Sequence, residues 1–547
     1  MKINKNKFTI GLMLFALTTH LYAQPIADTV YRNGKIYTVN ASSPWVEAVA
    51  IKDGRFSFVG NDKNVADYIG SETRVIDLKG RMAMPGIHDA HQHILKGQMR
   101  DIDCKLPPNS NVEQIIAGLE VCKQQGNTRG EWIVAFVYRG DLFPGGKAHR
   151  RLIDAAFPDT PIYIREWSFH HGLANGKALQ IAGIDGNTPD PERGKILRDE
   201  NGVPTGELLS KATFLVMKEV PPLPAAAIRD AVLRTATLCN KHGITSAQDA
   251  AASDAMLIEI KKLDEEGLWP LRVTAHLVVN HPGSTNKSFD DMERAILNRA
   301  AYQSQHLDTD AVKIYVDGSP LQPHATDVNI DADGNIPGER LYDSPERLNA
   351  FVTRFDEMGL KVKMHAVGTG ATRIALNAIA AARQANGNSG IFHDIAHSLR
   401  YKPVDLRRLS ELDAVTEMSP AIWQIKGPLT KNLAGSWQFK SLIDNGTLIT
   451  IGSDWVVLPE PNLFPGLAGM LDHGDESLQL DQSIRAMTLN GAISVGQQNV
   501  SGSIEKGKIA DMIVLDRNLF EIPVADISNT RVLQTVFEGR IVYQAEL

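Results

Sequence analysis

The sequence predicts an α/β fold, a (β/α)8 TIM barrel joined to a small sheet domain assembled from both chain ends. Three observations predict it. Short β-prone runs with hairpin dipeptides occupy both ends, eight apolar β-like runs alternate with helical patterns through the middle, and histidines recur where those runs finish. At 547 residues and 43% hydrophobic content, the chain can build one large core and an accessory domain.

The N-terminus reads as a secretory signal peptide over residues 1–23. Lys2, Lys5 and Lys7 precede an apolar run over 8–17, and Leu21-Tyr22-Ala23 leads into Gln24. The run is short for a bilayer, and no later stretch is long enough, so no stable membrane span is expected. An uncleaved anchor is the competing reading. Export, with a periplasmic destination, follows from the first.

Residues 29–76 then show short strands punctuated by Asn33-Gly34 and Asp53-Gly54, which are hairpin signals. The end of the chain repeats that style over 509–516, 532–537 and 540–543. Residues 24–84 and 500–547 are therefore assigned to one composite sheet domain, and 85–499 to the barrel.

Within the barrel, β-like runs fall near 82–87, 244–248, 272–279, 312–316, 362–366, 391–396, 414–418 and 448–451. Helical patterns such as 371–384 and 478–489 separate most of them. The first gap, about 150 residues, far exceeds ordinary connections, and an insertion over about 98–240 is placed across the barrel mouth. An open doubly wound sheet is the alternative, weakened because no G-x-G-x-x-G turn follows the first strand.

A net charge of −7 gives no basic surface for phosphates, which argues against nucleic acid as a partner. The expected partner is a small-molecule substrate, and a homo-oligomer stays open. Of three cysteines, Cys104 and Cys122 can close a loop in an exported protein, but spacing leaves that pairing undecided. None matches a zinc-ribbon spacing, so a metal would need histidines and carboxylates.

Those residues exist. His91 and His93 lie two apart, so in a strand both imidazoles point to one side. His365 and His397 finish the fifth and sixth runs, which makes four imidazoles at three strand ends. Asp454 follows the eighth run, where it reads as a base beside a metal rather than a helix cap. Lys313 interrupts the fourth run. Facing inward it would be costly unless paired or carbamylated to an anionic ligand; facing outward it would lie between helices. Alternation leaves both open.

The run Met84-Pro85-Gly86-Ile87-His88-Asp89-Ala90-His91-Gln92-His93 resembles the first-strand motif of the amidohydrolase superfamily, most closely its N-substituted formamide deformylase-like branch. Asn33-Gly34-Lys35-Ile36-Tyr37, Val312-Lys313-Ile314-Tyr315-Val316-Asp317-Gly318, His365-Ala366-Val367-Gly368, Ile451-Gly452-Ser453-Asp454 and Gly502-Ser503-Ile504-Glu505-Lys506-Gly507 extend the likeness in the family's order. The resemblance implies a barrel with a small β-sandwich. It further implies His91 and His93 on one divalent metal and His365 and His397 on a second, with Lys313 as carbamylated bridge. Asp454 would bind metal and shuttle the proton. Zinc suits such donors, as one or two ions.

His171 resembles the family's Gly-His-Ala element near the substrate carbonyl, although His170 stands where glycine is expected. Gly368-Thr369-Gly370 stands where the family often shows Gly-Asp. The implied activity is hydrolysis of a carbon–nitrogen bond, other than a peptide bond, by metal-bound hydroxide. An ester, lactone or cyclic amide is the alternative on the same site, and a non-catalytic exported binding protein the other class. The substrate wall is expected near Trp167, His324, Trp423 and Trp455.

Overall fold

Eight runs of aliphatic residues form one parallel sheet in strict chain order in the computed structural model. They are β1 (Ile87–Gln92), β2 (Ile244–Ala252), β3 (Arg272–Val278), β4 (Leu307–Tyr315), β5 (Lys361–His365), β6 (His393–Ala396), β7 (Ala414–Met418) and β8 (Leu448–Ile451). The structure describes residues 26–546 except 108, 167–169, 282–286, 322–323, 425–432 and 434. The segment assigned to a signal peptide lies outside the described residues.

The sheet closes just past the ends of β8 and β1. Asp454 N–H donates to the His91 carbonyl at 2.7 Å, and His93 N–H donates to the Trp455 carbonyl at 3.0 Å. That seam makes a barrel and excludes the open doubly wound sheet. Helices cover its outside because their apolar residues recur every three or four positions. Thr369–Asn386, for example, buries Ala371, Ile374, Ala375, Ala378, Ile379 and Ala382.

The barrel interior is polar in its lower layers. Lys363 is fully buried, and its ammonium donates to the Ala90 carbonyl at 2.8 Å and pairs with Asp394 at 2.9 Å. Lys361 reaches the same carboxylate at 2.6 Å. Removing one member of such a triad would strand a buried charge, at several kcal/mol.

Strands from both chain ends build the sandwich. One sheet holds, in order, Arg540–Gln544, Val532–Phe537, Met512–Leu515, Met82–Pro85, Lys35–Tyr37 and Trp45–Val46. The other holds Arg55–Gly60, Ala48–Lys52, Thr29–Arg32 and Arg74–Asp77. Tyr31, Ile36, Val49, Phe56, Val514 and Val536 share the core that includes both sheets.

This corrects one expectation. The run 82–87, read as the first barrel strand, is divided at Gly86: Met82–Pro85 pairs with Lys35–Tyr37 and Met512–Leu515, and β1 starts at Ile87. A Cβ at Gly86 would lie 2.2 Å from Thr245 Oγ1, so the chain crosses between sheets at a residue without one.

Between β1 and β2 lies a separate six-stranded sheet with its own apolar clusters, running from Cys104–Lys105 to Pro204–Ser210. Cys104 and Cys122 form a disulfide that ties the helix Val112–Gln125 to the edge strand. Closing a loop of that size is worth about 3 kcal/mol.

Candidate active site

Strand register sets the height of the site. Tyr315, His365, Ala396, Glu417 and Thr450 occupy one row across β4 to β8. His365 therefore ends β5 at the C-terminal rim, and His397 sits one residue beyond β6. From β1, His91 reaches the same level. Ring centroids of His91 and His397 lie 4.3 Å apart, those of His365 and His397 4.7 Å, and those of His91 and His93 5.4 Å.

Asp454 arrives from β8. Its Oδ1 is 3.4 Å from His93 Nε2 and 3.7 Å from His91 Nε2, and its Oδ2 is 3.9 Å from His397 Nδ1. Both Asp454 and His397 adopt left-handed backbone conformations, with φ of 47° and 67°. Such positions are uncommon outside glycine, and they gather at functional sites. Asp89 braces the seam below, accepting hydrogen bonds from Ser453 N–H (2.9 Å), Ser453 Oγ–H (2.6 Å) and His91 N–H (3.1 Å).

Lys313 faces inward, 1% exposed, with its ammonium 5.3 Å from the Tyr315 ring centroid. The outward alternative is removed. Burial, and next the charge of Lys363, push its amine down to about 7. His93, Lys313, His365, His397 and Asp454 line one cleft together with Arg165 and His170 of the insertion.

The donor set fits a divalent cation. Ligand atoms of His91, His397 and Asp454 all lie within 4.8 Å of one another. His91 Nδ1 is bonded to the Glu417 carboxylate, and Nε2 is buried without a hydrogen-bond partner. His365 Nε2 donates to the Gly318 carbonyl at 3.3 Å, which leaves Nδ1 with a lone pair. Burial holds the pKa of His91, His93, His365 and His397 below that of free histidine, so each imidazole is neutral, the state that ligates metal. For Asp454 burial acts upward, but His93 and Lys313 outweigh it and keep the carboxylate below its usual range.

Residues 74–543 match the model of the amidohydrolase family. The chain belongs to the amidohydrolase family. This amidohydrolase is 26% identical over 542 residues to the protein LONG AFTER FAR-RED 3 of Arabidopsis thaliana, across 95% of this chain and 92% of that one. It is 25% identical over 549 residues to the N-substituted formamide deformylase of Arthrobacter pascens, across 94% and 98%. Its fold is shared by the crystal structure of an uncharacterized metal-dependent hydrolase from Pyrococcus horikoshii, with a TM-score of 0.68 at 21% identity, covering 91% of this chain and 99% of that one.

His171, given a catalytic role from sequence, is not brought to the cleft of the amidohydrolase. His171 Nε2 donates to the His324 carbonyl at 3.2 Å and its Nδ1 accepts from Ser210 N–H at 3.3 Å, which engages both ring nitrogens. Its neighbour His170 lines the cleft instead, its ring 5.0 Å from that of His365. Residues two apart in a strand share a face, and neighbours do not; the motif left a one-residue choice that the insertion sheet decides.

Of the expected wall residues, Trp167 and the side chain of Trp423 lie outside the described residues. His324 turns to Glu207 at 3.5 Å, and Trp455 is buried under Gly97 at the seam. Where the family's Gly-Asp is absent, Asp317 supplies a carboxylate: it accepts from Val328, Val367 and Gly368 N–H, each at 2.9 Å, and fixes the turn after His365. Glu417 went unread. A lone acid inside the apolar run Ala-Val-Thr-Glu-Met was the available signal, the same kind that marked Lys313.

Proposed function

We propose that this amidohydrolase is a divalent-metal-dependent hydrolase of carbon–nitrogen bonds other than peptide bonds. The observation that carries the reading is the gathering of His93, His365, His397, Asp454 and Lys313 on one cleft at the C-terminal rim of the barrel, with His91 buried against His397 and Asp454, where enzymes of this architecture work. His91, His93, His365, His397 and Asp454 would hold one or two ions, and imidazole with carboxylate suits zinc. A bound divalent cation supplies Lewis-acid chemistry, bringing the pKa of water from about 15.7 toward 7 and polarising a carbonyl.

The chain's own groups do the rest. Asp454, held ionised, accepts a proton from the attacking water at a carboxylate oxygen and returns it to the leaving nitrogen. His170, at the cleft wall, is the imidazole placed to meet the carbonyl oxygen as charge builds on it. Lys313, with an amine near half-neutral at pH 7, is suited to take up carbon dioxide and become an anionic ligand. Export belongs to the same reading, supported by the Cys104–Cys122 disulfide, which persists in oxidising compartments.

The test is metal analysis of the purified protein with a panel of formamides, N-acyl amino acids and esters. Amide turnover abolished by a chelator and restored by zinc is expected. Turnover indifferent to chelation, or confined to esters, would sink the reading.

A further inference from the structure

The first barrel strand changes phase near its C-terminal end. His88 lies in the polar lower interior, where Gln248 Nε2 donates to its Nε2 at 3.3 Å and the charges of Lys363 and Lys361 reach it. His91 turns inward too, its ring centroid 4.3 Å from that of His397, and His93 lines the cleft. Residues three apart on a regular strand face opposite sides. An extra step is needed between His88 and His91.

That step is a β-bulge. Asp89 stands opposite Ala247 and Gln92 opposite Asp249, so Ala90 and His91 together face the single residue Gln248. A bulge leaves its extra residue outside the regular ladder, and bulges beside active sites re-aim side chains. The hydrogen bonds around this one come from other parts of the fold. His91 N–H donates to Asp89 Oδ1 at 3.1 Å, and the His91 carbonyl accepts from Asp454 N–H at 2.7 Å. The Ala90 carbonyl accepts from the ammonium of Lys363 at 2.8 Å.

Lys363 stands on β5 two residues before His365, and so on the same inward face. It is fully buried, and register sets it beside Asp394 of β6, with which it pairs at 2.9 Å. Asp394 precedes His397 by three residues. One ammonium thus joins the three strands that carry His91, His93, His365 and His397. Its neighbour Lys361 shares Asp394 at 2.6 Å but gives its other hydrogen bonds to the carbonyls of Phe392 and Ser494, at 2.5 and 2.9 Å. The two lysines hold the same carboxylate and differ in what else they hold.

We infer that Lys363 is a positioning residue for the metal ligands of β1: its ammonium holds the bulge at Ala90 and His91 that turns His91 toward His397 and Asp454 and His93 into the cleft. The inference rests on the hydrolase reading above, because the side chains aimed by the bulge are the ligands of that reading. A buried carbonyl outside the ladder needs a donor, and a lysine brings one on a long stem from a strand across the barrel. Glu417 fixes the ring of His91; Lys363 fixes the backbone from which that ring projects.

The experiment loads the protein with cobalt(II), whose visible spectrum reports coordination geometry, and measures affinity by competition with a chelator. Lys363→Met removes the donor. It should change the cobalt spectrum and weaken metal binding about tenfold to a hundredfold. Lys361→Met takes an ammonium from the same carboxylate, and should keep the wild-type spectrum with an affinity within about threefold. Lys363→Gln, whose amide ends a bond short of the ammonium, should follow Lys363→Met and decides the matter if that variant does not fold. A wild-type spectrum and affinity in the Lys363 variants, or an equal loss in Lys361→Met, overturns the positioning role while the hydrolase reading stands. A wild type that binds no cobalt removes the hydrolase reading and this inference with it.

Discussion

The backbone N–H of Asp454 donates to the carbonyl of His91 across 2.7 Å, and this bond joins the last barrel strand to the first. The hydrogen bond that closes the barrel therefore also holds His91 beside Asp454. Gly452 makes the approach possible, since a Cβ there would lie 2.4 Å from His91 Cβ and 2.6 Å from His91 N. Gly452→Ala should cost about 1–3 kcal/mol by overpacking and displace His91 from Asp454. Thermal unfolding and metal content of the purified variant measure both; a normal melting temperature with full metal occupancy would contradict the account.

Glu417 is fully buried at the end of β7 and bonded to His91 Nδ1. A carboxylate there fixes the ring and makes Nε2 a stronger donor to a metal. Glu417→Gln keeps the shape and removes the charge, so metal affinity should fall about tenfold to a hundredfold while the fold survives. Competition with a chelator gives the affinity, and the melting temperature controls for folding.

Asp454→Asn preserves the seam, because the bond to His91 comes from the backbone. It removes the proton acceptor. Metal should stay largely bound while kcat drops by about two to four orders of magnitude. Metal content and kcat measured on one preparation separate the two roles, and near-normal turnover would remove Asp454 as the proton carrier.

His306 ties the barrel to the sandwich, with Nδ1 2.5 Å from Asp264 and Nε2 3.0 Å from Glu538. Burial opposes its charge, but the two carboxylates outweigh burial and raise its pKa from 6.5 to about 9, while Glu538 falls from 4.5 to about 2. The raised histidine contributes fully below pH 6.5 and is lost as pH climbs through 9. The depressed carboxylate contributes above pH 4.5 and is lost as pH falls through 2. Stability from this contact should therefore peak between pH 4.5 and 6.5 and decline by about 1–2 kcal/mol toward pH 9, allowing for solvent screening. Urea midpoints at pH 6 and 9 should show that decline in the wild type and a flatter response in His306→Gln.

Local pattern made the barrel legible. The alternation of apolar runs with helical periods, and the positions of His91, His93, His365, His397 and Asp454 at or just past those runs, are properties of short stretches of chain. The choice between His170 and His171, the inward face of Lys313, and the partnership of Glu417 with His91 are not, because each depends on which face a strand presents once its neighbours pair. The same limit divided the run 82–87 between two sheets, both of which bury it and so erase the periodicity that would mark the break. Lys96 follows the first barrel strand and Arg165 stands in the insertion sheet, and only the tertiary structure brings both to the lining of one cavity, because that depends on how distant segments pack.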